Sequence, residues 1–511
     1  MGNWNSGYVT DIGYTHGCYP ELNPLRLQLA FLNAGLAFPK VARACELGFG
    51  QGMSINLHAA ASGVAWHGND FNPSQAAFAQ ALAVASGSGA QLSDEAFADF
   101  CARPDLPDFD FIGLHGIWSW ISDTNRAVIV DFVRRKLRVG GVLYISYNTL
   151  PGWASFAPMR HLLTQHAATM GAQGHGIVHK IDHALDFAGQ MLNANPLYAK
   201  ANPFVADRLK VIQKEQRPYL AHEYFNTDWH PMYFADMARW LSPAKVGFAC
   251  SANLLDHVDP INLQKDQLTF LSEIPDPVLR QTVRDFMVNQ QFRKDYWVKG
   301  ARKLSNFERL EQMRALRMVL VTPRTDVPLT VNGSLGEANL GESVYGPLLD
   351  LLSTHQALSF AEIEQALSHQ DIRLAHLLQA LMVLAGAGHL ALAQTESQAA
   401  LCKSQTLALN THLMNQARGR SDLLYLASPL TASGVVVQRF AQLFLLAHQQ
   451  GRRSPDEWIR FGWQTLSDQG QRLIKDGRTL ETPEENLAEL AAQAQQFGAK
   501  QLPLLQALQV I

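Results

Sequence analysis

The stretch Ala44-Cys45-Glu46-Leu47-Gly48-Phe49-Gly50-Gln51-Gly52 joins an apolar run to a segment of helical composition. The apolar run, which begins at Val41, predicts a buried strand. The three glycines allow a tight turn and let the backbone approach a ligand closely. Residues 53–61 predict a helix, and the free amides of its first turn favour a carboxylate or a phosphate group. The stretch therefore predicts a strand, a ligand-binding loop and a helix, in that order.

The spacing of the glycines separates two kinds of nucleotide-binding loop. A dinucleotide-binding fingerprint requires a glycine at the sixth position counted from Gly48, where this chain has Met53. The pattern is instead G-x-G-x-G, and Glu46 stands two residues before the first glycine. This spacing resembles motif I of class I methyltransferases that use S-adenosylmethionine (SAM), and the resemblance implies SAM as the cofactor. It also implies that the following residues hold the methionine part of SAM: Glu46, Gly48, Phe49, Gly50 and Gly52.

Acidic residues follow the next two predicted strands. Asp70 and Phe71 come after residues 64–69, and Asp94 comes after residues 89–93. An acid at the tip of the second strand of such a sheet can accept hydrogen bonds from both ribose hydroxyls. We therefore expect Asp70 to bind the ribose of SAM and Asp94 to bind the adenine amine, with Phe71 also part of the cofactor site.

Strands and helices alternate from residue 41 to residue 146, which predicts an α/β fold with a doubly wound, Rossmann-like, mostly parallel sheet. Strands are expected near residues 41–47, 64–70, 89–93, 109–114 and 141–147. Helices are expected at 73–85 and at 123–137, the second ended by Gly140-Gly141. Ligands of such sheets bind outside the carboxyl ends of the strands. The candidate residues should therefore meet at one edge of the sheet.

Two further strand ends carry aromatic and polar residues. His115 and Trp118 follow the strand 109–114, and Tyr147 ends the strand 141–147. Aromatic faces attract a cationic sulfonium and can also surround a lysine side chain. His115 either orients a nucleophile or only hydrogen-bonds the backbone. Tyr147 either lines the site or forms a packing corner, and the sequence leaves both alternatives open.

The segment before the first strand is rich in aromatic and polar side chains. Within residues 7–23 these include Tyr14, Tyr19 and Glu21. Asn23 and Pro24 predict the start of a helix with a largely apolar body. The segment either lies over the cofactor as a lid or packs on the sheet as an N-terminal helix.

Length and composition limit the classes of protein. A chain of 511 residues is expected to form about three domains, because single cores rarely exceed ~250 residues. The formal net charge of -3 gives no basic field for nucleic acid or an anionic membrane. Five widely spaced cysteines support neither a disulfide framework nor a zinc site. The N-terminus lacks an export signal and no long apolar run is present, so we expect a cytoplasmic protein without a membrane-inserted segment.

Beyond residue 154 the sequence predicts mainly helices, which we expect to continue to about residue 320. Residues 219–231 contain two histidines and two acids, but a zinc-protease motif would need a histidine at the position of Asn226. We expect a turn rich in hydrogen bonds there and no metal site. Residues 323–342 are the predicted linker, with a hairpin turn at Asn332-Gly333.

The C-terminal part has the element order of a winged-helix-like module. Ser359 and Glu362 form a predicted capping box, and a second helix at 371–385 precedes a strand at 389–393. This second helix has only Arg373 as a strong base, whereas DNA binding needs several phosphate contacts. We therefore favour a protein contact over DNA. Residues 400–511 are expected to be helical.

Three stretches are similar to those of bacterial class I methyltransferases that carry a methyltransferase regulatory domain. They are residues 19–24, residues 115–120 together with 146–153, and residues 219–231. The family includes protein-lysine methyltransferases acting on outer-membrane proteins. The resemblance implies a SAM-binding domain with an N-terminal lid at 1–155, a helical regulatory domain at 156–325 and a winged-helix-like, mainly helical domain at 340–511.

The resulting hypothesis is methyl transfer from SAM, most readily to a protein lysine. In it Tyr14, Tyr19, Trp118 and Tyr147 form aromatic walls, and Glu21 or His115 orients the amine. Two alternatives remain. One is a small-molecule O- or N-methyltransferase, and the other is a catalytically silent SAM-binding scaffold or sensor. A nicotinamide oxidoreductase is disfavoured by the glycine spacing.

Overall fold

The computed structural model describes residues 8, 12–171, 174 and 176–511. Residues 1–7, whose composition predicts no export signal, and residues 9–11 of the predicted lid lie outside the described residues. No helix within the described ranges is long and apolar enough to cross a membrane.

A seven-stranded sheet forms the centre of the first half of the chain. Its order is β3-β2-β1-β4-β5-β7-β6, and the first five strands of that order are parallel. These are β1 (Arg43–Leu47), β2 (Ala65–Asn69), β3 (Gln91–Ser93), β4 (Phe109–Leu114) and β5 (Leu137–Asn148). The strand order reverses between β1 and β4, which is where doubly wound sheets bind their ligands. The predicted α/β fold class is confirmed.

The last two strands, β6 (Gly247–Ser251) and β7 (Phe292–Val298), come from a region that we expected to be helical. Both are antiparallel to their neighbours. We did not predict β7, because the charged run Arg293-Lys294-Asp295 is typical of a solvated helix face. In the structure Arg293 and Asp295 are buried on one face of the strand and their side chains pair, Nε to Oδ2, at 2.9 Å. The predicted domain boundary at residue 155 stays a prediction, but two strands of the sheet, β6 and β7, come from residues beyond it.

The helices of the first part cover both faces of the sheet. They are α1 (Leu27–Asn33), α2 (Met53–Ala61), α3 (Pro73–Ser86), α4 (Phe97–Ala102) and α5 (Asp123–Lys136). Every residue of α2, which follows the glycine loop, is buried. Helix α5 ends without the predicted glycine stop, because β5 already begins at Leu137. Gly140 lies within that strand with a φ of 80°.

The middle of the chain supplies most of the short helices. They are α6 (Leu150–Trp153), α7 (Ala157–Thr169), α8 (Ile177–Asn193), α9 (Leu197–Ala201), α10 (Phe204–Gln213), α11 (Arg217–Tyr224), α12 (Phe234–Leu241), α13 (Asp259–Asn262), α14 (Lys265–Ser272), α15 (Pro277–Met287) and α16 (Asn306–Ala315). Helices α7, α8, α10 and α11 bury a core of their own, which includes Trp153, Phe156 and Leu209. This small core positions α11 beside the carboxyl edge of the sheet.

A three-stranded sheet with order β11-β8-β12 and three helices form the winged-helix-like module. Its elements are β8 (Arg317–Leu320), α17 (Glu342–Leu352), β11 (Leu358–Ser359), α18 (Phe360–Ala366), α19 (Leu374–Gly386) and β12 (Leu390–Ala393). The capping box at Ser359 is present, since its Oγ accepts from the Glu362 amide. The predicted linker holds a hairpin, as expected, formed by β9 (Thr330–Gly333) and β10 (Gly336–Asn339). Gly333 pairs with Gly336, so the turn residues are Ser334 and Leu335, two positions beyond the predicted Asn332-Gly333.

The C-terminal part packs against the helix that follows the glycine loop. It contains α20 (Glu396–Gln416), α21 (Arg439–Gln449), α22 (Pro455–Ser467), α23 (Pro483–Gln496) and α24 (Leu502–Ala507). It also contains two hairpins that the sequence did not predict, β13 (Tyr425–Ser428) with β14 (Ser433–Val436), and β15 (Ile474–Lys475) with β16 (Arg478–Thr479). Helix α20 contacts α2 and α3, and the first hairpin contacts α2.

Candidate active site

A cavity of about 460 Å³ lies at the carboxyl ends of the parallel strands. We refer to it as the main cavity. Ten of the predicted site residues line it: Tyr14, Tyr19, Glu46, Gly48, Phe49, Gly50, Gly52, Asp70, Phe71 and His115. They come from the N-terminal segment, the glycine loop and the ends of β2 and β4. Parallel strands bring these distant parts of the chain to one edge.

The backbone conformation of the glycine loop and its short distance to neighbouring side chains require glycine at two positions. Gly48 has a φ of 71°, and a Cβ built on it would lie 2.6 Å from the Ile117 side chain. Gly52 has a φ of 67° where α2 begins, and its Cβ would lie 2.4 Å from the Cβ of Ala79. The loop therefore lies too close to its neighbours to accept larger residues at these positions, and its backbone faces the main cavity.

Asp70 holds the glycine loop in place. Its Oδ2 accepts a hydrogen bond from the Gly50 amide at 2.8 Å, and its Oδ1 accepts from the Asn72 amide at 3.0 Å. Burial raises the pKa of Asp70 to about 6, although these two hydrogen bonds oppose the rise. A carboxylate oxygen can accept more than one hydrogen bond. Asp70 can therefore still accept hydroxyl groups of a ligand in the main cavity.

Glu46 is buried beside the loop and lacks a partner for one of its oxygens. The residue is 2% exposed, and its Oε2 has no hydrogen-bond partner among the described residues. Burial, and then the nearby Asp70, raise the pKa of Glu46 to about 8. Leaving a buried carboxylate oxygen unpaired costs free energy. A ligand with a positively charged donor, such as the amino group of an amino acid, would remove that cost.

His115 and Tyr19 form a flat wall of the main cavity. Their ring centroids lie 3.6 Å apart with the rings nearly parallel. The Nδ1 atom of His115 lies 2.8 Å from the hydroxyl oxygen of Tyr144, so the histidine hydrogen-bonds a side chain. Burial lowers the pKa of His115 to about 3. The imidazole is therefore uncharged at neutral pH and does not repel a cation.

Several residues of the main cavity were not predicted from the sequence. Glu223 on α11 is one, and its Oε1 accepts a hydrogen bond from the Tyr14 hydroxyl at 3.4 Å. Burial raises the pKa of Glu223 to about 7, although this hydrogen bond opposes the rise. The other unpredicted residues include Tyr8, Phe97, Trp120, Asn125, His222 and Asp228. The signal for three of them was the cluster of acids and histidines at 219–231, which we interpreted as a turn and as part of the family resemblance but not as a part of the site.

Two of the predicted aromatic walls lie elsewhere, which corrects that part of the hypothesis. Trp118 is fully buried in the core, where its Nε1 donates to the sulfur of Met232 at 3.4 Å. Tyr147 is 1% exposed and its hydroxyl donates to Oδ2 of Asp295 at 2.9 Å. Neither residue lines the main cavity. Trp118 directly follows Ile117, which lines the cavity, but its own side chain, like that of Tyr147, lies in the protein interior.

Glu21 and Asp94 also lie outside the lining of the main cavity. Glu21 is buried behind it, with Oε1 2.7 Å from Nζ of Lys294. Asp94 is exposed to solvent after β3, and Ala96 and Phe97 line the cavity instead. The assignment of Asp94 to the adenine amine is therefore not supported by its position.

Comparison with known proteins shows a family-model match, a close relative in sequence and a similar solved structure. A family model described as a predicted methyltransferase regulatory domain matches residues 216–299, which run from α11 to the end of β7. An uncharacterised protein of Synechocystis sp. is 41% identical over 98% of both chains. The fold is similar to that of PKMT2 from Rickettsia typhi, solved in complex with AdoHcy, with a TM-score of 0.66 and 17% identity over 94% of this chain and 97% of that one.

Proposed function

We propose that this chain, which belongs to a bacterial family of class I methyltransferases with a methyltransferase regulatory domain, transfers the methyl group of SAM to a lysine side chain of a protein. The acidic lining of the main cavity carries this proposal. Four carboxylic acids line it, namely Glu46, Asp70, Glu223 and Asp228, whereas its described lining contains no lysine or arginine. Such a cavity favours cationic ligands and disfavours anionic ones.

The residues on the sheet side of the main cavity fit SAM. The unpartnered Oε2 of Glu46 suits the ammonium group, and Asp70 suits the ribose hydroxyls. The volume of about 460 Å³ lies within the usual range for small-molecule sites. When bound, SAM supplies an electrophilic methyl group, and transfer of this group leaves the electron pair of the broken C–S bond on sulfur as S-adenosylhomocysteine. The protein has to align the acceptor and exclude water.

The residues on the opposite side suit an amine acceptor. Tyr8, Tyr14 and Tyr19 present aromatic rings, and Glu223 adds a carboxyl group among them. Aromatic faces attract an ammonium group, and an enclosed site lowers the pKa of an amine by disfavouring its charged form. The name of the Rickettsia typhi protein, a protein lysine methyltransferase, supports the same acceptor for this chain.

The test is a methylation assay with the lysines of the acceptor free or blocked. Purified protein is incubated with methyl-labelled SAM and a protein extract of the source organism, half of which has been treated with acetic anhydride. We expect label in precipitable protein, recovered as methyl-lysine after acid hydrolysis and absent from the acetylated half.

Two results would overturn the proposal in different ways. Label confined to small molecules would identify a small-molecule methyltransferase. An absence of transfer, with SAM binding demonstrated by calorimetry, would identify a silent scaffold or sensor.

A further inference from the structure

We propose that Glu223 binds the acceptor amine and accepts its proton before the methyl group is transferred. Residues 216–299, which match the regulatory-domain model, then complete the active site. This inference rests on the proposed lysine methyltransferase function. Glu223 lies on α11, within residues 216–299. It would act as a catalytic residue because it contacts the substrate.

The first observation is the position of Glu223 relative to the glycine loop. The ring of Tyr14 lies against Gly50, since a Cβ built there would be 3.7 Å from Cδ1 of the tyrosine. At its other end, the Tyr14 hydroxyl donates to Oε1 of Glu223 at 3.4 Å. One tyrosine therefore spans the distance from the loop to the carboxyl group. Glu223 therefore lies across the main cavity from the glycine loop.

The second observation is that Glu223 has no cationic partner. It forms no ion pair in the described part of the chain, in which 23 ion pairs occur. Glu223 instead raises the pKa of five tyrosine hydroxyls of the N-terminal segment and α11, which places them around it: Tyr8, Tyr14, Tyr19, Tyr219 and Tyr224. A half-buried carboxyl group surrounded by neutral phenols favours a cation supplied by a ligand.

The third observation concerns proton transfer. A lysine ammonium ordinarily has a pKa of about 10.4, which burial lowers. Burial raises the pKa of Glu223 to about 7, which reduces the free-energy cost of moving a proton from the ammonium to the carboxylate.

The ammonium gives one proton to Glu223, and the nitrogen lone pair then forms the new N–C bond as the C–S bond breaks. Glu223 later releases its proton to solvent, so that one proton is released for each methyl group transferred.

The experiment replaces Glu223 by Gln and compares it with Glu215→Gln, the same change at an exposed position shortly before α11. Single-turnover methylation of the protein extract is measured from pH 6 to 9, together with the affinity for S-adenosylhomocysteine. For Glu223→Gln we expect a rate at least about 100-fold lower at neutral pH and loss of the rise near pH 7. The S-adenosylhomocysteine affinity should stay within about twofold, and Glu215→Gln should match the wild type.

A second variant keeps the inference testable if Glu223→Gln does not fold. Tyr14→Phe retains the ring but removes the hydrogen bond that lowers the pKa of Glu223, so the rise in rate should move to higher pH. Unchanged pH profiles in both variants, or in Tyr14→Phe alone if the other is unfolded, would overturn the role of Glu223. Failure of the proposed function gives a different result, because the wild type itself would then place no label on lysine.

Discussion

His58 on α2 and Ala432 in the C-terminal hairpin are in direct contact, with Nδ1 of the histidine 3.2 Å from the carbonyl oxygen. The Nε2 atom of the same ring lies 3.4 Å from the carbonyl oxygen of Tyr19. One buried histidine thus joins the helix after the glycine loop, the C-terminal part of the chain and the N-terminal segment, which carries three tyrosines of the main cavity. The protonation of His58 therefore affects the packing of all three.

We expect His58 to make folding stability depend on pH. Burial lowers its pKa to about 4, although two backbone carbonyls oppose this, whereas an unfolded chain has a value near 6.5. The unfolded state therefore binds more protons between these two values, and stability falls as pH decreases from 6.5 towards 4. The slope is about 1.4 kcal/mol per pH unit for one such histidine. Urea unfolding between pH 4 and 8 measures it.

Two substitutions serve as controls for this dependence. His58→Gln should reduce the slope, whereas His369→Gln at an exposed position should leave it unchanged. His115, whose pKa is also lowered by burial, contributes in the same direction, so part of the slope should remain in His58→Gln. A slope equal to that of the wild type in His58→Gln would contradict the prediction.

Asp70 is expected to determine cofactor affinity. Asp70→Ala removes the acceptor of the Gly50 and Asn72 amides and the proposed acceptor of the ribose hydroxyls. Hydrogen bonds to charged groups contribute about 1.5–3 kcal/mol each, so the affinity for S-adenosylhomocysteine should fall at least tenfold. Calorimetry measures the affinity, and circular dichroism shows whether the fold is retained. Asp94→Ala is the matched control, because Asp94 is exposed and outside the main cavity, and equal losses in both variants would be inconsistent with these positions.

The contrast between Asp70 and Asp94 illustrates which parts of the site the sequence could predict. The strand, the glycine loop and Asp70 follow one another within 30 residues, so local pattern was enough to bring them together. Asp94 fits the same rule, yet β3 is a short edge strand whose end does not reach the main cavity. Local spacing predicts which residues end a strand but cannot predict which of those ends face the ligand.

Long-range packing explains what the sequence did not predict. Glu223 is 209 positions from Tyr14, and only the packing of α7, α8, α10 and α11 brings the two together. Strand β7 was missed because a charged run usually indicates a surface, whereas here Arg293 is neutralised inside the protein by Asp295 and by Asp285. Which residues form a buried ion pair is determined by the packing of distant parts of the chain, so the local sequence does not predict it.

A substitution in the glycine loop tests whether the left-handed backbone conformation of Gly48 is required for cofactor binding. Gly48→Ala introduces a side chain at a φ of 71° and places its Cβ 2.6 Å from Ile117. The left-handed conformation costs about 1–2 kcal/mol for a residue with a Cβ, and the steric conflict adds to this. We expect loss of measurable S-adenosylhomocysteine binding and a lower melting temperature. Gly63→Ala is the control, because its added Cβ would meet no neighbouring atom within 4 Å, so it should leave binding and melting temperature unchanged. Binding and melting temperature that are unchanged in Gly48→Ala as well would contradict the prediction.

Tyr147 provides a test of its reassignment from the active site to the protein interior. Tyr147→Phe removes the hydroxyl that donates to Asp295, a residue that is 1% exposed and also bonded to Arg293. A buried carboxylate that loses one hydrogen bond destabilises the fold by about 1–3 kcal/mol. We therefore expect a lower urea midpoint, whereas methylation per folded molecule and S-adenosylhomocysteine affinity should remain within about twofold of the wild type. Tyr233→Phe, at a position that is 39% exposed, should change none of these three quantities. A large loss of activity at unchanged stability in Tyr147→Phe would instead return this residue to the catalytic site, because only a contact with substrate or cofactor would act in that way.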